Sequence, residues 1–118
     1  NVETIHQFAL PQDLDTASIV MRLHQKHPTG FKNLATYLQQ NNFHPTTFVS
    51  YIDATQTLQA LALRTAITAH IHARPYCMGT MFWQFNDCYP GISWSVIDYY
   101  GRKKKAYFVV KELYNSIK

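Results

Sequence analysis

Apolar positions along this chain recur mostly at helical spacing, and one stretch breaks from that period. Val2 to Leu10 is short and closes at Pro11, which predicts a brief helix or the tail of an element begun earlier. Asp15 is placed to cap a helix running to about Lys26, with Ile19, Val20 and Leu23 as its apolar stripe and Pro28 to Gly30 as its stop. Lys32 to Gln40 puts Leu34, Tyr37 and Leu38 on one face, and the polar run Gln39 to Asn42 then marks a loop. The longest element starts at Thr46 or Thr47, an N-cap candidate, and continues to Ala73. It carries Phe48, Ile52, Leu58, Leu61, Ala62, Ala66 and Ala69 at helical spacing, and Pro75 ends it.

From Tyr76 to Phe85 the residues are almost continuously apolar or aromatic, the pattern of a parallel strand covered on both faces. Gly79 within it suggests a close approach by a neighbouring element. Asn86 to Trp94, with Asp87, Pro90 and Gly91, reads as a long ordered loop, and a final helix over about 103–116 turns Val109, Val110, Leu113 and Ile117 inward. Helix, buried strand, helix is one slice of an α/β fold, here a mostly helical α/β fragment. A single strand makes no sheet, because its amides and carbonyls need a hydrogen-bonding neighbour. That neighbour is expected from another stretch of a longer chain, or from a second copy.

At 118 residues and 47% apolar content there is room for one segment, 1–118, with no internal repeat, low-complexity stretch or linker. A formal charge of +4 invites a nucleic-acid reading, but the basic residues are scattered apart from Arg102 to Lys105, and one short run reads as a solvated helix face. No apolar run has membrane-spanning length. No nucleic-acid or membrane partner is therefore expected. The chain opens on Asn1 without an initiator Met, so its natural start is expected upstream, and the N-terminus gives no localisation. Cys77 and Cys88 have neither a CxxC spacing nor a neighbouring histidine pair, which fits neither a disulfide framework nor a zinc site.

The chemistry concentrates where the apolar run ends. Trp83 offers a flat apolar face to the C–H side of a pyranose, while amides such as Gln84 and Asn86 can take up ring hydroxyls. On chemistry alone an aromatic strand end is more often core than sugar platform. The run Trp83-Gln84-Phe85-Asn86-Asp87, followed by Asp98-Tyr99-Tyr100-Gly101, closely resembles the last strand and last helix of the catalytic barrel in β-mannosidases of glycoside hydrolase family 2. The resemblance is strong over residues 74–107 and weaker upstream, around His24-Gln25-Lys26 and the long helix. Phe85 and Tyr89 stand where the family pattern has Leu and Trp.

The resemblance implies the last part of a (β/α)₈ barrel, with strand 8 over about 76–85 and the final helix over about 103–116. Function in such barrels sits at the C-terminal ends of the strands. It implies that Trp83 lines the subsite for the non-reducing mannosyl unit, with Gln84, Asn86 and Asp87 as further substrate-binding candidates. The implied activity is retaining exo-hydrolysis of terminal β-D-mannosyl residues. The implied partners are a β-mannoside-containing oligosaccharide and the remainder of the parent enzyme. Periplasmic, secreted and lysosomal locations are all compatible with it.

Retaining glycosidases need two carboxyl groups about 5–5.5 Å apart. In the family both are glutamates, on the fourth and seventh strands, yet the only glutamates here are Glu3 and Glu112, and neither has the Ser-Glu-aromatic-Gly surroundings of the nucleophile. By the resemblance that motif ends a few residues before Asn1, so no catalytic residue is assigned within this chain and the piece alone is expected to be inactive. Asp13 and Asp15 are placed to favour a helix dipole, Asp53 lies on a helix face, and Asp98 precedes a Tyr-Tyr-Gly turn. Asp87 is the best site carboxylate, with loop bracing as its more frequent role and no case for a nucleophile. His24 with His27, and His70 with His72, make a weak metal case, and no metal or cofactor is expected. Two alternatives stand beside the mannosidase reading. One is another family 2 specificity, such as β-glucuronidase, β-galactosidase or exo-β-glucosaminidase; the other is a non-catalytic carbohydrate-binding module. With its strand and helix faces uncovered, the isolated fragment is expected to self-associate.

Overall fold

A 25-residue helix, α4 (Phe48–His72), is the spine of the molecule, and it starts where the sequence provides a cap: the Thr47 hydroxyl accepts from the Ser50 N–H at 3.1 Å. The computed structural model describes residues 1–117; Lys118, the end of the expected single segment, lies outside them. In chain order the helices are α1 (Val2–Ile5), α2 (Ile19–His24), α3 (Gly30–Gln40), α4 and α5 (Lys105–Ser116), with a 3₁₀ turn at Pro11–Asp13. α4 packs mainly along α5 and more lightly on α3.

Helix boundaries follow backbone chemistry more than apolar spacing. α2 begins later than expected, because Ser18 rather than Asp15 is its cap, accepting from Met21 N–H. Asp15 instead takes the Ala17 N–H, and Asp13 the Leu10 N–H, so both brace the preceding turn rather than the helix dipole. The expected stripe of α2 is also corrected: Ile19 and Leu23 are exposed, and Met21 is the residue that disappears into the core. That core gathers Ile5, Ala9, Met21 and Ile52, with Phe8, Phe31, Phe48 and Ile92 against it. Farther along α4, Leu61, Ala62, Ala66 and Ala69 are exposed while Ile67 is buried. On α3, Leu38 is buried and Tyr37 exposed.

The expected strand over 76–85 does not form. Among the described residues only isolated bridge pairs occur, Gln25 with Ile92, Asn86 with Ile97 and Ile97 with Lys103, because no neighbouring strand offers its amides and carbonyls to this stretch. Its side chains are not covered on both faces either. From Thr80 to Phe85 exposure alternates, with Thr80, Phe82 and Gln84 half-buried and Met81, Trp83 and Phe85 exposed. The inner row lies on the helices: Phe82 meets Tyr114 edge-on at 6.1 Å, Tyr114 donates to the Thr80 carbonyl, and the Thr80 hydroxyl meets His70 Nδ1 at 2.9 Å. The outer row meets solvent, Met81 at 94% exposure. A period of two with one covered face is strand geometry without a ladder.

Gly79 is corrected as well, since a Cβ there would meet nothing. Gly91 is tight against backbone, where a Cβ would sit 2.7 Å from the His24 oxygen; the loop hugs the end of α2, and Ile92 N–H donates to that same oxygen. The radius of gyration, 15.3 Å, exceeds the roughly 13.5 Å expected of an independent globular chain of this length. The extents of 51 × 30 × 22 Å describe a slab.

Candidate functional site

Trp83 projects from the outer row with 76% of its surface open, and its own side chain contributes little to the core. The peptide between Trp83 and Gln84 is cis. Beyond it the chain turns into a strip held by backbone bonds: Gln84 and Phe85 carbonyls accept from Val96 N–H, Phe85 also accepts from Ile97 N–H at 2.9 Å, and Asp87 N–H donates to Ile97. Lys104 N–H in turn donates to Val96. Gln84 is half-buried beside Trp83, and Asn86 is exposed with its amide near the Asp87 carbonyl at 3.4 Å. One short segment thus carries a flat indole and two amides on a backbone fixed from behind, the equipment for recognising a ring with an apolar face and an equatorial or axial fringe of hydroxyls.

Asp87 lies at the centre of what fixes it. Its carboxylate is fully buried and accepts from Lys26 Nζ at 2.7 Å and Ser95 Oγ at 2.6 Å, with Lys104 Nζ 3.8 Å away. Lys104 also donates to Ser95 Oγ at 3.0 Å and reaches the Ser93 carbonyl and hydroxyl. Burial pushes the Asp87 pKa up, but the hydrogen bonds from Lys26, Ser95 and Ser93 and the charge of Lys104 outweigh it and hold it below the ordinary value. Burial depresses Lys104, more than its neighbouring carboxylates Asp87 and Asp98 restore. This geometry is that of a brace. It also corrects the reading of Arg102 to Lys105 as a solvated face, because Lys104 is only 6% exposed.

A second buried carboxylate ties the beginning of the chain to this region. Asp98 accepts from the Tyr100 and Arg102 amides, from Asn1 Nδ2 at 2.9 Å and from the Thr4 hydroxyl, while Arg102 reaches Thr4 as well. Burial would raise the Asp98 pKa, and these donors hold it down. None of Lys26, Ser95, Lys104, Thr4 or Asn1 stands out in the sequence. The usable signal is that the two Asp residues flank a loop carrying the hydroxyls of Tyr89, Ser93 and Ser95, with the basic run 102–105 just beyond it.

Because both carboxyls bind fewer protons folded than unfolded, they stabilise fully above the ordinary value of 3.8, and that stability is lost as pH falls through their lowered folded values. Lys104 has the same sign at the other end: its folded pKa is depressed, so raising pH toward the ordinary 10.5 relieves the cost of its buried charge. Thermal unfolding followed from pH 7 to pH 2 should therefore show the melting temperature dropping below pH 4. A flat profile in that range would contradict the assignment of both carboxylates.

An apolar cavity of about 310 Å³ lies elsewhere, between α3, the start of α4 and the 91–94 loop. Phe31, Tyr37, Tyr51 and Trp94 line it; the Tyr51 phenol, pushed up to about 12 by burial, and the Gln25 amide nitrogen find no protein partner. Trp94 is 37% exposed at this cavity, and its carbonyl accepts from Gln59 at 2.6 Å. Of the chain's glutamates, Glu112 pairs with Arg64 on the surface and Glu3 is exposed on α1. His24 stacks on Phe8 at 3.8 Å and meets the Pro90 carbonyl, whereas His27 sits by Thr29. No group of three or more His, Cys, Asp or Glu among the described residues is arranged to hold a metal.

No family model matches the chain. It is similar to β-mannosidase B from Aspergillus niger, 34% identical over 103 residues that make up 85% of this chain and 12% of that protein. It is also similar to β-mannosidase B from Thermothelomyces thermophilus, 36% identical over 100 residues, 80% of this chain and again 12% of the relative. The crystal structure of β-D-mannosidase from Dictyoglomus thermophilum superposes on the whole chain with a TM-score of 0.93 at 33% identity, using 15% of that structure. The chain therefore spans about an eighth of the length of the curated relatives it matches.

Proposed function

Taking as premise that the chain is a β-mannosidase-like segment, we propose that it forms the end of a (β/α)₈ barrel in a retaining family 2 exo-glycosidase that removes terminal β-D-mannosyl residues. In this reading residues 76–85 are strand 8, paired by neighbouring strands of the parent, and α5 is the final helix. The outer row of Met81, Trp83 and Phe85 then faces the barrel interior. Trp83 covers the C–H face of the terminal sugar, Gln84 and Asn86 supply hydrogen bonds to its hydroxyls, and Asp87 enters as the brace behind them.

The observation that carries the proposal is the open indole at the end of a strand-like segment whose opposite row is seated on α4 and α5. Such a segment has the geometry to join a sheet and present a sugar wall at its C-terminal end. The two carboxyl groups of the retaining reaction are assigned to other parts of the parent, because Asp87 and Asp98 are consumed by internal donors and Glu112 by Arg64. A structure of the parent with a bound terminal mannoside tests this: the sugar ring should lie flat against Trp83. A sugar bound away from Trp83, for instance against Trp94, would overturn it.

Two outcomes follow for the 118-residue chain alone. It should not hydrolyse nitrophenyl β-mannoside above the buffer rate, and turnover surviving removal of contaminating enzyme would contradict the assignment. It should also self-associate through the exposed side chains of Tyr76, Met78, Met81, Trp83 and Phe85. Light scattering giving a monodisperse monomer would show that this face is tolerated in water.

A further inference from the structure

We propose that Lys26 and Lys104 are positioning residues that act through Asp87 to fix the attitude of Trp83 and its flanking amides. The geometry points there because the backbone strip that carries the wall is anchored through the buried Asp87. Trp83 is mostly exposed, and the segment is seated on its N-terminal side by Thr80 and Phe82. On its C-terminal side it is held by the Val96 and Ile97 amides, whose place is set by the 86–95 loop. Lys26 grips one side of that loop, bonding Asp87 through Nζ, lying 4.4 Å over the Tyr89 ring and donating its backbone N–H to the Ile92 carbonyl. Lys104 grips the other, through Ser93, Ser95 and Asp87.

Stability is a poor reason for this arrangement. Placing two ammonium groups around one buried carboxylate carries a desolvation cost that apolar packing would avoid, and such clusters are often replaceable by apolar residues without loss. What charge and direction supply is a single arrangement of the loop. A sugar platform needs that, since misplacing a binding group by about 1 Å can cost 10²-fold in rate. The consequence for activity rests on the reading of Trp83 as a sugar wall; the geometric claim does not.

The test uses the parent enzyme labelled with 5-fluorotryptophan, with the Trp83 resonance identified by its loss in Trp83→Phe. Lys26→Met keeps the length of the side chain and leaves Asp87 paired with Lys104. It should shift or split the Trp83 resonance in a protein that still unfolds cooperatively, at a lower melting temperature, and lower kcat/KM for nitrophenyl β-mannoside by about 10- to 100-fold. Lys103→Met, at an exposed neighbour, should do neither. Ser95→Ala removes the hydroxyl shared by Asp87 and Lys104 and should reproduce the spectral change. An unchanged Trp83 resonance in both Lys26→Met and Ser95→Ala overturns the proposal, whatever the activity does. Should Lys26→Met fail to fold, Ser95→Ala decides alone, and an unchanged resonance there overturns the proposal. A shifted resonance in a parent that hydrolyses no β-mannoside supports the positioning and sinks the mannosidase reading alone.

Discussion

Asp87→Asn is expected to destabilise the fold by about 3–5 kcal/mol, the range for breaking a buried ionic cluster by removing one member. The substitution keeps the shape but strips the carboxylate bonded to Lys26 and leaves two ammonium groups, 8% and 7% exposed, facing a neutral amide. Lys104 still has Asp98 within electrostatic reach, whereas among the described residues Lys26 pairs with Asp87 alone. Urea unfolding at matched protein concentration measures the effect. The surface pair Arg64 and Glu112 is the control: Glu112→Gln removes an ion pair of the same 2.7 Å length with no measurable change expected, because water screens and replaces it. A loss for Asp87→Asn as small as that of Glu112→Gln would mean that water reaches the cluster.

In the parent enzyme, Trp83→Ala is expected to lower kcat/KM for a β-mannoside by about 1–4 kcal/mol, or roughly 5- to 1,000-fold. The lower figure corresponds to an aromatic contact. The upper one adds lost buried area and weaker hold on a distorted ring, which raises the barrier more than it weakens ground-state binding. Because Trp83 is exposed and gives the core little, the variant should unfold like the parent, which separates binding from folding. Trp94→Phe keeps the backbone carbonyl that accepts from Gln59 and should leave kcat/KM near the parent value. The reverse pattern, with Trp83→Ala near normal and Trp94→Phe inactive though folded, would move the site to the cavity that Trp94 lines.

The helices were legible where local chemistry and apolar period agree. Thr47 caps α4 as its sequence suggests, and Val110 of α5 is buried as its spacing requires. α2 misled because Asp15 looks as good a cap as Ser18, and only the tertiary seat of Met21 decides between them. The segment 76–85 reads as a doubly covered strand because its composition is that of one. Composition reports the surroundings a segment is suited to, whereas a ladder and a second layer must come from other backbone. Gly79 misled for the same reason: it lies in that segment, where no neighbour approaches.

For the candidate site, Trp83, Gln84 and Asn86 could be picked out because their side chains are the chemistry itself. Their support could not, since Lys26 and Lys104 lie 61 and 17 positions from Asp87 and nothing in a single sequence pairs them. Lys104 was hidden further by its company, as Lys103 and Lys105 on either side are exposed as a basic run should be. A buried lysine within such a run becomes visible only when the fold shows which of its neighbours turns inward.

The most direct measurement is the rate at which the full-length parent hydrolyses a panel of nitrophenyl glycosides. The account predicts β-mannoside as the preferred substrate, with higher kcat/KM than β-glucoside, β-galactoside, β-glucuronide or β-glucosaminide. A parent that leaves β-mannoside untouched, or that prefers another member of the panel, would contradict it.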